Sequence, residues 1–174
     1  MEKTRGNKMK RILNATVLST LMLSAFATQA VQRDITVTAT VDPAVDITLA
    51  DGSALPSAVT MDYNVITGLQ PITKNVKLWS NSTSKNLTIA LANSPTLSSS
   101  SSTSSVPLTV KFNGSALTTT ATTLTYANYF PNGTANGSLA FPLVIAPTTA
   151  GVLTDAGSYT GTVSLIVQQA TTSS

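Results

Sequence analysis

The chain contains no cysteine and no histidine. Ser-His-Asp and Cys-His catalysis and the usual zinc sites are thereby excluded. Disulfides are excluded too, so the fold must be held by packing or by a partner. Charge is scarce: 10 Lys+Arg and 7 Asp+Glu in 174 residues, and the sole glutamate is Glu2. No glycine-rich phosphate loop is present, because the glycines fall in turns or in the closing segment. Asp42, Asp46 and Asp51 lie close enough in sequence to suggest a calcium site or an acid pair. Each adjoins a proline, a glycine or a strand end, where aspartate caps turns, and that is the reading adopted. No metal, cofactor or enzymatic activity is expected.

The basic residues are unevenly placed. Lys3, Arg5, Lys8, Lys10 and Arg11 precede an apolar run over residues 12–27. A positive start, a short hydrophobic stretch and small residues at a cleavage site make a secretory signal peptide, which predicts residues 1–30 as a leader cleaved before Val31. Ala25-Phe26-Ala27 offers a competing site, and Met9 an alternative start. As a membrane anchor the run falls short of the ~20 residues needed and is interrupted by Asn14, Thr16, Ser19 and Thr20. After the leader, Arg33, Lys74, Lys77, Lys85 and Lys111 face six aspartates, for a net charge of −1. Five scattered cations make no phosphate-binding patch, which sets nucleic acid aside.

What remains is rich in Thr, Ser, Val, Ala and Leu, with Asn-Gly pairs at Asn113-Gly114, Asn132-Gly133 and Asn136-Gly137. Such a composition suits short strands and tight turns. Ile35, Val37, Ala39 and Val41 alternate with Thr36, Thr38 and Thr40, the pattern of a strand buried on one face, and Pro43 ends or bends it. Further strands are predicted over residues 45–49, 59–63, 72–79, 86–91, 106–112 and 140–145. The run 98–105 reads as an exposed Ser/Thr loop. Tyr159, Gly161, Val163, Leu165 and Val167 share one face of a long closing strand, with a polar tail expected to fray over 170–174. No segment has helical periodicity, so the expected fold is all-β, an immunoglobulin-like β-sandwich.

Trp79, at the end of an apolar strand, reads as a core residue, with sugar stacking as its alternative. Lys74, Lys77 and Lys85 read as solubilising charges on a sheet face or as a weakly basic host contact. Asn81-Ser82-Thr83, Asn86-Leu87-Thr88 and Asn132-Gly133-Thr134 match the N-glycosylation pattern, as chance allows in a chain of this composition.

The unbroken stretch from Val31 through Asp42-Pro43, with Asp46, Asp51-Gly52 and Ala54-Leu55-Pro56-Ser57-Ala58-Val59 downstream, resembles the major pilins of the alpha-type (class 5) chaperone-usher fimbriae. Colonization factor antigen and cable pilins are of this kind. The closing Ala156-Gly157-Ser158-Tyr159-Thr160-Gly161-Thr162-Val163-Ser164-Leu165 is similar to that family's last strand, and the tail after Val167 departs from it by being longer and more polar.

The resemblance implies a sandwich that is incomplete and is completed by a donor strand. Residues 31–43 become the N-terminal donor strand and hinge, and 44–174 the pilin domain. Ile35, Val37, Ala39 and Val41 enter a neighbour's groove, Pro43 is the hinge, and Tyr159 to Val167 form the groove edge. The implied partners are other copies of the chain in a homopolymer, a periplasmic chaperone, an outer-membrane usher, a tip adhesin and, indirectly, the host-cell surface. The implied destination is a cell-surface fimbrium reached through the periplasm. A different class of reading, a stand-alone or adhesin-type sugar-binding β-sandwich, is the alternative.

Overall fold

The computed structural model describes residues 44–173. The leader at 1–30, the donor residues Ile35, Val37, Ala39 and Val41, and Pro43 lie outside the described residues.

Alternation of apolar and polar side chains builds the main strands. In β7 (Ser105–Phe112), Val106, Leu108, Val110 and Phe112 are buried while Pro107 and Lys111 are exposed. Asn113 and Gly114 follow with φ of 49° and 80°, the left-handed pair that turns a two-residue hairpin into β8 (Ser115–Ala116). β4 (Ile72–Ser80) and β5 (Lys85–Leu91) bury Val76 and Leu78, and Leu87, Ile89 and Leu91, by the same rule. The other elements are β1 (Val45–Leu49), β2 (Tyr63–Asn64), β3 (Gly68–Leu69), β6 (Thr96–Ser99), β9 (Thr122–Leu124), α1 (Tyr126–Tyr129), β10 (Phe141–Pro147), β11 (Tyr159–Thr160) and β12 (Leu165–Ser173).

Seven strands form one sheet in the order β1-β4-β10-β7-β6-β11, with β8 beside β7. Three form the second, in the order β12-β5-β9, and β2 and β3 make a separate hairpin. The inner faces of the two larger sheets meet in one core of Val76, Leu78, Leu87, Ile89, Leu91, Val110, Phe112 and Leu143, joined by Leu117, Leu124 and Phe130. Aromatic rings close one end: Phe112 lies 5.9 Å from Tyr129 and 5.8 Å from Phe141, and Tyr126 stacks on Phe130 at 5.4 Å.

The all-β expectation holds, and the strands predicted near 45–49, 72–79, 86–91, 106–112 and 140–145 are β1, β4, β5, β7 and β10. Four local expectations are corrected. Residues 59–62 form no strand, since this stretch lies exposed along a groove margin and only Tyr63 enters a ladder. The Ser/Thr run is partly strand, because β6 pairs with β7 on either side of it. The closing segment is two strands, β11 against β6 and β12 against β5, so the chain changes sheets between them. Its polar tail does not fray at once: β12 continues to Ser173, with a bulge between Gln169 and Ser173.

Candidate assembly groove

Three strands cannot cover the inner face of seven. The larger sheet presents Ile72, Leu97, Leu108, Leu143 and Ile145 to a groove of about 980 Å³, whose opposite wall carries Val163 and Leu165. Residues 55–61 border it, with Leu55 packed against the core. Where β12 runs on past the groove, a second cavity of about 390 Å³ opens against Val45 of β1, Val167 and Lys85.

β12 is the strand that bounds both spaces. Among the described residues its one sheet neighbour is β5. The Ala92 amide donates to the Ser164 carbonyl at 2.9 Å, which sets the phase of the ladder: Ser164, Ile166 and Gln168 turn their backbone groups toward β5. Leu165, Val167 and Gln169 therefore turn theirs toward the other margin. Leu165 and Val167 pack against the core from that same strand. A strand laid along this margin would gain backbone partners and cover apolar side chains together.

The five closing residues have different positions. Tyr159 belongs to β11, and its hydroxyl donates to the Asp155 carbonyl at 2.9 Å. Gly161 and Val163 lie in the crossing between β11 and β12, while Leu165 and Val167 are on β12. Tyr159, Gly161, Val163 and Leu165 all line the groove, and Val167 lines the second cavity. Gly161 is required where it stands: a side chain there would run into the Thr96 carbonyl.

The sequence reading assigns Lys74 to a solubilising face, yet it lines the groove. The missed signal is strand parity, because Lys74 falls between Ile72 and Val76 on the inward-facing set of β4. Trp79 is half-buried rather than central, and its indole N–H donates to Thr48 Oγ1 at 2.8 Å. Asp51, away from the groove, caps a turn as expected. The Ser53 hydroxyl at 2.6 Å and the Ser53 amide at 2.9 Å both donate to its carboxylate and hold its pKa below the usual value.

Among the described residues no three His, Cys, Asp or Glu side chains group to hold a metal, and no helix is long and apolar enough to cross a membrane. The groove's chemistry is apolar contact and backbone pairing.

Comparison with known proteins gives this geometry a context. The B-type CFA/I fimbrial protein of Escherichia coli is 37% identical over 166 residues, covering 92% of this chain and 97% of that protein. Its A-type CS1 fimbrial counterpart, also from Escherichia coli, is 35% identical over 172 residues, covering 94% and 99%. The solved CooA pilin from enterotoxigenic Escherichia coli superposes with a TM-score of 0.64 at 31% identity, covering 73% of this chain and 88% of its own. A chain described with the chaperone–tip adhesin complex of CFA/I fimbriae biogenesis, 13% identical with a TM-score of 0.51, shares the fold alone. The family model of the CS1 type fimbrial major subunit matches residues 31–168, which takes in β1 through the first residues of β12 and so the groove wall. An immunoglobulin-like sandwich open along its last strand is thus no isolated oddity: this chain belongs to the family of CS1 type fimbrial major subunits.

Proposed function

We propose that this fimbrial protein polymerises by donor-strand exchange, residues 31–43 of one copy filling the groove of the next. The observation that carries the reading is the open margin of β12 beside an apolar groove of about 980 Å³. Ile35, Val37 and Val41 each contribute about 1.5–3 kcal/mol on burial, before the cost of ordering them, and Ala39 less. Each backbone hydrogen bond to β12 adds ~0.5–1.5 kcal/mol net. The sum makes a joint that opens slowly.

On this reading residues 1–30 direct export and are removed, and the family match beginning at residue 31 supports that boundary. A periplasmic chaperone occupies the groove first, and the incoming donor strand displaces it at an outer-membrane usher. The product is a structural filament on the cell surface. A separate tip adhesin carries receptor binding, and the filament itself does no catalysis. Pro43 joins donor strand to body and sets the angle between successive copies.

Deletion of residues 31–42 tests the proposal. Filaments seen by electron microscopy should vanish, and the same residues fused after Ser174 should give a stable, soluble monomer. Filaments of normal length from the deleted chain would refute it.

A further inference from the structure

Two lysines occupy inward-facing positions at opposite ends of the space along β12. Lys74 lies on the same strand face as Ile72, Val76 and Leu78 and lines the main groove. Lys85 lies on the face of Leu87, Ile89 and Leu91 and lines the second cavity. Among the described residues neither ammonium has an ion-pair partner. Asp155 also borders the main groove, but its carboxylate already accepts from the Ser104 hydroxyl.

The donor segment carries a matching pair. Asp34 and Asp42 bracket its apolar run and are eight steps apart, about 27 Å in an extended strand. Along the acceptor, β12 runs nine residues from Leu165, which shares the groove with Lys74, to Ser173, which is in register with Lys85. This too is eight steps, or about 27 Å less the shortening of its bulge. We infer that Lys74 and Lys85 receive the two aspartate carboxylates that bracket the donor strand of a second copy, and so fix its register. The inference rests on the donor-strand reading.

Register is otherwise weakly specified. Ile35, Val37, Ala39 and Val41 repeat every second residue, so a slip of one residue turns threonines into the groove and is rejected. A slip of two keeps every apolar side chain inward. What such a slip does change is the ends, where each carboxylate moves ~7 Å from its cation. Asp34 and Asp42 share the threonine face, so contact is made at the groove mouths around the donor's edge. Lysine suits this, since its stem lies along apolar surface while the head reaches water. Arg33 lies outside the bracketed run and leaves the pairing intact.

The cysteine-free chain allows register to be read by cross-linking. In full-length mature protein, Thr38→Cys is combined with a single cysteine at Ile166, Gln168 or Ala170 on β12. The unaltered background should cross-link at one of the three. Lys74→Glu should still polymerise, spread the cross-link to a site two residues away, and speed dissociation of the joint about twofold to fivefold. Asp42→Lys or Asp34→Lys in the donor should restore the single site, and whichever succeeds gives the strand's direction. Lys74→Met, which keeps the stem, should fall between wild type and Lys74→Glu, and Lys74→Arg should match wild type. If Lys74→Glu and Lys85→Glu leave register and dissociation unchanged while assembly still requires residues 31–42, the inference is overturned and donor-strand exchange stands. Assembly without those residues would remove both.

Discussion

The carboxamide of Gln169 donates to Asn81 Oδ1 at 2.7 Å, and the same oxygen accepts the Ala44 amide at 3.0 Å. Gln169 also reaches Ser80 Oγ at 3.2 Å. Asn81 thus gathers the residue just before β1, the end of β4 and the far half of β12 at one point. Gln169→Ala should lower stability by about 0.5–1.5 kcal/mol in a protein carrying its donor strand as a C-terminal fusion, measured by chemical denaturation. No change would mean that packing alone holds the sheets together at that end.

Gly161 marks the crossing from the large sheet to the small one. Gly161→Val pushes a branched side chain toward the Thr96 backbone and should cost about 1–3 kcal/mol. Gly133→Ala is the control, with a φ of +77° and nothing within 4 Å of the added carbon, so its cost is confined to about 1–2 kcal/mol of backbone strain. Thermal melting of the two variants, with circular dichroism to confirm the sheet, separates steric conflict from conformational preference.

Asp51 supplies a pH signature. Hydrogen bonds from Ser53 depress its folded pKa below the ordinary 3.8, so its contribution is fully present above that value and is lost as pH falls through the lower, folded pKa. Ser53→Ala removes the side-chain bond and leaves the amide bond, and should move the Asp51 titration partway back upward. Carboxyl chemical shifts followed by NMR between about pH 2 and pH 6 check this, and an unmoved titration would assign the shift to the backbone alone.

On the donor side, Ala39 is the smallest residue of the apolar set, and the proposed joint places it over a shallow part of the groove. Ala39→Leu should slow polymerisation at least about tenfold by overfilling that position, whereas Ala39→Gly should still assemble with a weaker joint. Turbidity and electron microscopy of filaments formed from purified protein report both. Normal assembly of Ala39→Leu would show that the groove has room to spare.

The strands easiest to read in the sequence are those with one wet and one dry face, such as β7, where Val106, Leu108, Val110 and Phe112 alternate cleanly. Val59 and Tyr63 carry part of the same signal, yet both remain 45–46% exposed because they stand at a groove margin with no opposing sheet. Periodicity reports which side chains could be buried, and cannot supply the layer that buries them. The break at Gly161 is hidden because parity is unchanged across it: Tyr159, Val163 and Leu165 all face inward although they serve different sheets. Residues 170–173 have no apolar side chains to announce a strand, whereas a ladder needs only backbone. α1 is a single turn, too short to show a helical period. Lys74 is legible from parity alone, but a charge at an inward position reads as surface until the open groove gives it a place.

The bare edge of β12 has a consequence for symmetry. A molecule with one socket and one plug joins its copies head to tail, a relation that never closes on itself. Every such chain of molecules ends at one pole in an unused plug and at the other in an unfilled socket. The two poles are chemically unlike, so growth has a direction, and whatever caps the socket pole must bring a strand of its own.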